Sequence, residues 1–230
     1  MTNGPPRALR DVEKARWRQA QGHEADFWRL PKIMDSQTKR VADRYEPLVA
    51  RFNGETGNGR PVHTLEVGSG PTCATRILST PHKVFLDPLM RVYRPLCEPG
   101  IAGHFVCSVG ETLPFSGEHF DLVFSFNVLD HVLSPAKFVA EMIRVTRPGG
   151  RIILGVYTHP RLFAAVRNFI DRRLPVFGEV AHPYFISRHS LVRLMESQGL
   201  RVEDVVCVHA PARRPSLHRQ DWVAVARRPE

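Results

Sequence analysis

Short, nearly continuous apolar runs recur along the chain from about residue 62 onward. They predict five strands, at residues 62–68, 83–87, 103–108, 120–126 and 151–157. Runs that are apolar on both faces are typical of strands buried inside a parallel sheet. A helix is predicted over 134–146 from its apolar stripe, and RPGG (147–150) should end it. This alternation predicts a doubly wound, Rossmann-like α/β sheet.

The two ends of the chain follow other patterns. Helices are predicted at 12–21 and 36–52, with Ser36 as the N-cap of the second. The stretch NGETGNGRP (53–61) breaks this pattern and divides the chain into an N-terminal helical lid or cap, residues 1–60, and a core, residues 61–230. Within the first unit, His23, Phe27 and Trp28 either cover a site or dock the helix on the core.

The last third of the sequence predicts two more helices and two more strands. The helices are expected around 161–173 and at 188–198, and the strands at 202–210 and 221–228. Because no crossover helix separates these two strands, they should pair antiparallel.

Composition is that of an ordinary globular protein: 230 residues, of which 43% are hydrophobic and 24% charged. The N-terminal residues lack the apolar core of a signal peptide, and no apolar run approaches the length of a membrane span. The four cysteines are far apart, which predicts neither a metal site nor a disulfide framework. We therefore expect a cytoplasmic protein without a membrane partner or a bound metal.

The net charge of +9 comes from 32 basic and 23 acidic side chains, and 27 of the basic residues are arginine. A positive field can attract nucleic acid or a phosphorylated substrate. The arginines are spread along the chain, however, and are not interleaved with aromatic residues as a base-stacking surface requires. Nucleic acid is accordingly disfavoured as a partner, and the sequence does not determine the oligomeric state.

A glycine turn follows the first predicted strand, in TLEVGSGP (64–71). Gly68 and Gly70 allow a sharp bend before an expected helix and a close approach of a ligand to the strand end. The second strand ends in Asp87, where a carboxylate can accept hydrogen bonds from both hydroxyls of a ribose. Cys73 occupies the third glycine position of a dinucleotide fingerprint, which argues against a pyrophosphate clamp. A nucleoside-containing cofactor is therefore predicted.

Four segments together resemble the class I S-adenosylmethionine-dependent methyltransferases of small-molecule type, in particular those with a methyltransferase domain of family 11. They are LEVGSGP (65–71), VFLDP (84–88), ETLPF (111–115) with FDLVFSFNVLDHV (120–132), and RVTRPGGRIIL (144–154). The resemblance covers roughly residues 60–160. It implies S-adenosylmethionine as cofactor and a seven-stranded sheet that ends in an antiparallel hairpin.

The resemblance also implies roles for individual residues in holding the cofactor. The glycine bend, with Ser69 at its centre, would shape the loop under the methionine portion, Glu66 would orient loop amides or the amino group, and Asp87 would hold the ribose. In relatives the loop before the LPF segment commonly reads Gly-Asp-Ala, and its acid meets the adenine amino group. The matching residues here are Ser108, Val109 and Gly110, so adenine recognition would depend on backbone groups near Gly110 and Glu111 and on apolar packing. The residue after the fourth strand is Asn127, which would contact the cofactor and face the reaction cleft.

Methyl transfer needs alignment and, for a hydroxyl acceptor, a base. His131 and His182 are the candidate bases, although either histidine could be structural, and Tyr157 and Tyr184 are candidates for the acceptor pocket. The sequence therefore predicts methyl transfer to a small molecule, at a hydroxyl oxygen. The alternatives are an RNA- or ribosome-directed methyltransferase and a non-catalytic interaction module with the same fold; a nicotinamide-dependent oxidoreductase is disfavoured by the LPF and PGG segments.

Overall fold

The computed structural model describes residues 7–55, 59–173, 184–210 and 219–230 and contains one seven-stranded sheet. The strand order across the sheet is β3-β2-β1-β4-β5-β7-β6. The strands are β1 (His63–Val67), β2 (His82–Asp87), β3 (His104–Cys107), β4 (Phe120–Phe126), β5 (Thr146–Thr158), β6 (Arg201–His209) and β7 (Gln220–Arg227). All seven overlap the predicted strands, but β5 begins at Thr146 rather than at residue 151 and so includes the RPGG segment.

Strands β1 to β5 run parallel to one another, with Leu65 of β1 in register with Val84 of β2 and Val123 of β4. Strand β7 lies antiparallel between β5 and β6. The predicted fold class and the antiparallel C-terminal pair are therefore confirmed.

The helices differ from the predictions mainly in their bounds. They are α1 (Arg7–Trp28), α2 (Pro31–Arg44), α3 (Glu46–Val49), α4 (Met90–Tyr93), α5 (Pro135–Val145), α6 (Arg161–Arg173) and α7 (Arg188–Glu196). The prediction of Ser36 as an N-cap was wrong: α2 begins at Pro31, and the Ser36 hydroxyl donates to the Ile33 carbonyl inside the helix. Proline suits the first helical turn because its missing N–H would have no partner there.

The glycine turn is not followed by the full helix that its pattern predicts. Only a 3-10 segment, Ala74–Ile77, comes before β2. Cys73, directly before this segment, has φ +47°, a left-handed conformation that costs energy in a non-glycine residue. The loop after β1 is therefore held by side chains rather than by a long helix.

Apolar residues cover both faces of the sheet. On one face, α5 and α7 pack with a core that includes Leu65, Phe138 and Met142. The other face packs against residues 41–52 through Tyr45, whose ring stacks on Phe126 with centroids 4.5 Å apart. None of the helices that the structure describes has an apolar stretch long enough to cross a bilayer.

Candidate functional site

A cavity of about 610 Å³ opens at the carboxyl ends of β1, β2, β4 and β5. Parallel sheets commonly bind ligands at this edge, where loops from several strands meet. The cavity collects residues that are far apart in sequence, including Gly68, Gly70, Asp87, Asn127 and His131. Helices α1 and α2 supply its opposite wall.

The glycine bend is fixed against the end of β2. The backbone N–H groups of Gly68 and Ser69 both donate to the Leu86 carbonyl, at 2.7 and 3.1 Å. Gly68 has φ +73°, and a Cβ at this position would lie 2.2 Å from Cγ2 of Val128. Glycine is thus required at residue 68 both by the backbone conformation and by close packing.

Glu66 braces the loop that follows the bend. Its two carboxylate oxygens accept hydrogen bonds from the backbone N–H groups of Ala74 (3.0 Å) and Thr75 (2.9 Å) and from the Thr75 hydroxyl (2.7 Å). Burial raises the pKa of Glu66 to about 7, while the bonds from Thr75 oppose that shift. Glu66 also borders the cavity, so its position is compatible with the predicted role of orienting loop amides.

Asp87 joins the ends of β1 and β2. Its Oδ2 accepts from the backbone N–H of Gly70 at 3.1 Å, and its Oδ1 accepts from the N–H of Leu89 at 2.8 Å. Burial raises the pKa of Asp87 to about 6, against the effect of these two hydrogen bonds. A carboxylate has about four acceptor sites, so Asp87 keeps the capacity to accept from a ligand in the cavity.

Gly110 and Glu111 border a second, smaller cavity of about 40 Å³ beside the first. Its walls are largely apolar and include Leu86, Pro88 and Val109. The Glu111 carboxylate accepts from the backbone N–H groups of Leu133 (2.7 Å) and Ser134 (3.4 Å), and thereby ties this loop to the start of α5. One Glu111 oxygen is thus engaged by the protein at the place where adenine recognition was predicted.

Asn127, the residue after β4, has φ +56° although it is not glycine. Its backbone N–H donates to the Gly155 carbonyl at 2.9 Å, which fixes the turn. Both polar atoms of its side-chain amide are buried and have no hydrogen-bond partner among the residues that the structure describes. Buried, unpaired polar atoms in a strained residue that borders a cavity are typical of a ligand-binding position.

The structure places His131 in the cavity wall and leaves the other candidate base untested. The His131 ring lies between two carboxylates, with Nδ1 4.0 Å from Oε1 of Glu24 and Nε2 3.8 Å from Oδ1 of Asp130. His182 lies outside the described residues. Tyr157 borders the cavity, whereas the Tyr184 hydroxyl donates to the Leu133 carbonyl at 2.7 Å and packs with the core.

The C-terminal end of α1 covers the glycine bend. The Trp28 indole N–H donates to Glu24 at 3.1 Å, and the Trp28 ring comes within 3.9 Å of the position that a Cβ on Gly70 would take. In the sequence, the aromatic residues Phe27 and Trp28 indicated a segment that either covers a site or docks on the core. Glu24 and Arg40, which also border the cavity, gave no signal because helical periodicity alone does not distinguish a cavity wall from a solvent-exposed face.

Residues 65–154 match the model of the methyltransferase domain family. That segment contains the glycine bend, Asp87, Asn127 and His131. This part of the chain is therefore similar to a methyltransferase domain. The resemblance seen in its sequence is thereby confirmed.

Relatives with known names match the chain over part of their length. The chain is 35% identical over 101 residues to the chloroplastic tocopherol O-methyltransferase of Arabidopsis thaliana, covering 41% of this chain and 28% of that protein. It is 28% identical over 192 residues to the tRNA U34 carboxymethyltransferase of Hahella chejuensis, covering 82% of this chain and 56% of that protein. The chain thus spans less than two thirds of both relatives.

A solved structure shows the same fold over most of the chain. The putative methyltransferase of Haloferax volcanii, solved in complex with the Trm112 methyltransferase activator, superposes with a TM-score of 0.66 at 17% identity. The match covers 90% of this chain and 98% of that one.

S-adenosylmethionine is the cofactor of the methyltransferases that this chain resembles, and the cavity has groups that fit it. Asp87 offers carboxylate oxygens for ribose hydroxyls, and the unpaired amide of Asn127 lies beside the glycine bend. A Cβ at Gly70 would meet only the Trp28 ring, at 3.9 Å, so the backbone there is open to a ligand. Apolar side chains around the smaller cavity provide a surface for the adenine ring.

Proposed function

We propose that this protein transfers a methyl group from S-adenosylmethionine to a hydroxyl oxygen of a small-molecule acceptor. The observation that carries the proposal is that one cavity brings together the glycine bend, Asp87, Asn127 and His131. When bound, S-adenosylmethionine supplies a methyl group already activated on a sulfonium, so the protein has chiefly to align the acceptor.

The nucleoside and the amino-acid tail would be held by different elements. Asp87 would accept from the ribose hydroxyls, and Gly110 and Glu111 would border the adenine. Gly68, Ser69 and Gly70, braced by Glu66, would lie under the tail, which the Asn127 amide would contact. Each of these residues borders one of the two adjoining cavities, which supports the assignment.

His131 is proposed as the base that accepts the hydroxyl proton. The imidazole becomes a cation when it takes this proton, and the carboxylates of Glu24 and Asp130 are close enough to stabilise that charge. Helices α1 and α2 are proposed as the lid, because their side chains form the cavity wall opposite the strand ends and would limit the access of water.

The test has two stages. Isothermal titration of the purified protein with S-adenosylmethionine, S-adenosylhomocysteine and NAD should show binding of the first two and none of NAD. Hydroxylated, amine and thiol acceptors are then screened for formation of S-adenosylhomocysteine, with turnover expected for hydroxyl compounds. Turnover only with amines or thiols would contradict a hydroxyl oxygen as the acceptor atom. Binding of NAD alone would contradict S-adenosylmethionine as the cofactor.

An RNA-directed activity is the second candidate. The Hahella relative is named a tRNA carboxymethyltransferase, and the net charge of +9 would favour RNA binding. This candidate predicts methyl transfer to bulk tRNA and an affinity that falls steeply as salt rises. Small-molecule turnover together with salt-insensitive, weak RNA binding would exclude it. A non-catalytic module would instead bind S-adenosylmethionine and turn over none of the acceptors.

A further inference from the structure

The cavity has a second, basic end that the cofactor assignment does not use. It is bordered by Gln37 and Arg40 of α2, by Tyr157 near the end of β5 and by Arg219 just before β7. In the sheet, β4 separates β5 and β7 from the strands that carry the glycine bend and Asp87. This basic end therefore lies on the side of Asn127 away from the glycine bend and Asp87, where the methyl acceptor would bind.

Arginine outnumbers carboxylate at the basic end. The buried Asp221 carboxylate accepts a hydrogen bond from the Tyr45 hydroxyl (2.5 Å) and forms an ion pair with Nη1 of Arg44 (3.6 Å). Among the residues that the structure describes, no carboxylate lies within 4 Å of the guanidinium groups of Arg40 or Arg219. The Asp221 carboxylate is thus paired directly with Arg44 and interacts with Arg40 only at longer range.

Arg40 is held in place by its contact with Tyr157. Nη1 of Arg40 donates to the Tyr157 hydroxyl at 3.1 Å, and Cζ lies 5.5 Å from the centre of the Tyr157 ring. The Nε of Arg40 is buried and has no hydrogen-bond partner in the part of the chain that the structure describes, and the same is true of Oε1 of Gln37, one turn earlier on the same helix. A buried donor without a partner destabilises the protein, and a ligand that supplies an acceptor removes this cost.

We propose that the methyl acceptor is a hydroxy acid whose carboxylate binds Arg40 at this basic end. The guanidinium edge that carries Nε presents donors in the fork geometry that a carboxylate accepts, and the excess positive charge favours an anion. Tyr157 positions Arg40, and Arg219 adds charge at the mouth of the cavity. The inference rests on the proposed function, because it describes the substrate of that site.

The experiment compares an acid with its neutral analogue on protein saturated with S-adenosylhomocysteine. Dissociation constants for 4-hydroxybenzoate and 4-hydroxybenzamide are measured by ligand-observed NMR for the wild type, Arg40→Gln and Lys39→Gln. Lys39 is the matched control, since it is the neighbouring residue on α2, carries the same charge and is exposed to solvent. Thermal unfolding is recorded for both variants to confirm that each is folded.

The wild type should bind the acid about tenfold more tightly than the amide, since one charge-assisted hydrogen bond is worth at least that factor. Arg40→Gln should remove this preference without changing the affinity for the amide, and Lys39→Gln should keep it. Equal affinity for acid and amide in the wild type, or an equal loss for both ligands in Arg40→Gln, would overturn the inference.

A further titration separates the acceptor's carboxylate from that of the cofactor. S-adenosylhomocysteine and 5′-methylthioadenosine, which lacks the amino-acid tail, are each titrated into the wild type and Arg40→Gln. Unchanged affinity for both nucleosides supports the acceptor assignment. A loss confined to S-adenosylhomocysteine means that Arg40 binds the cofactor tail, and this overturns the inference while the proposed function stands. If the wild type binds neither nucleoside, the proposed function itself fails.

Discussion

The backbone N–H of Gly70 donates a hydrogen bond to Oδ2 of Asp87, at 3.1 Å. This bond links the glycine bend after β1 to the carboxylate at the end of β2, 17 residues further along the chain. The glycine bend and Asp87, the two features of the sequence that predict a nucleoside, are therefore hydrogen-bonded to each other, and the Asp87 carboxylate also fixes the bend.

Replacing the Asp87 carboxylate should weaken cofactor binding. Asp87→Asn keeps the size of the side chain but removes the charge-assisted hydrogen bonds proposed for the ribose, so the loss should be about 1.5 to 3 kcal/mol. Calorimetric titration with S-adenosylhomocysteine measures it. Asp204→Asn, a change at a half-exposed carboxylate on β6, is the control and should bind normally. Unchanged affinity in Asp87→Asn would contradict the ribose assignment.

Cofactor affinity should also depend on pH through Asp87. Burial raises the pKa of this carboxyl to about 6. The ionised form is the better acceptor for ribose hydroxyls, so affinity should be greatest above pH 6 and should fall as pH decreases through that value. Dissociation constants of S-adenosylhomocysteine between pH 5 and pH 8 test this. In Asp87→Asn this decrease should disappear; if it persists, another group is responsible.

Removing the imidazole of His131 should slow turnover and leave cofactor binding intact. General-base catalysis typically contributes a factor of about 100 to 10,000, so His131→Gln should lower kcat within that range. The control is His189→Gln on α7, where the side chain is exposed. The readouts are the steady-state rate with the best hydroxyl acceptor and the affinity for S-adenosylhomocysteine. A normal kcat in His131→Gln would exclude His131 as the base.

Gly68→Ala should cost more stability than a glycine replacement elsewhere. The added methyl group would approach Cγ2 of Val128 to 2.2 Å, in addition to the strain of φ +73°. Gly199 has φ +86° with nothing within 4 Å of a Cβ, so Gly199→Ala reports the backbone strain alone, about 1 to 2 kcal/mol. Crowding should add about 1 to 3 kcal/mol in Gly68→Ala. Chemical denaturation compares the two; equal losses would mean that Val128 moves aside freely.

The hydroxyl of Tyr45 should contribute to stability through Asp221. The Tyr45 O–H donates to a carboxylate whose side chain is fully buried, at 2.5 Å, and joins the residue that follows α2 to β7. Tyr45→Phe removes this donor and should lower the free energy of unfolding by about 1.5 to 3 kcal/mol. Tyr184→Phe removes a bond to a neutral carbonyl and should cost only about 0.5 to 1.5 kcal/mol. An equal or smaller loss in Tyr45→Phe would contradict this account of the contact.

The positions of the strands could be predicted from the sequence because most of the apolar runs are also buried strands. Phe120–Phe126, for example, is apolar except for Asp121 and Ser125 and is buried along almost its whole length. The helix expected after the glycine bend does not form, since the carboxylate of Glu66 accepts the N–H groups of Ala74 and Thr75 instead. A side chain eight residues away thus decides the local structure, which residue propensities cannot show.

The cofactor side of the site was predictable to a greater extent than the acceptor side. Gly68 and Asn127 each follow a strand directly and Asp87 ends one, so their position in a parallel sheet follows from the strand assignments. Arg40 and Tyr157 are 117 residues apart and meet only because α2 packs across the sheet. No spacing in the sequence encodes such a contact, so the basic end of the cavity appears only in the folded chain.

A crystal structure of the protein with S-adenosylhomocysteine tests the central claim most directly. The account predicts ribose hydroxyls within hydrogen-bonding distance of the Asp87 carboxylate, the amino-acid tail over Gly68 to Gly70, and the sulfur facing the part of the cavity that Asn127 and His131 border. Density for the nucleoside at another place, or a cavity filled by the protein's own side chains in crystals grown with saturating ligand, would contradict it.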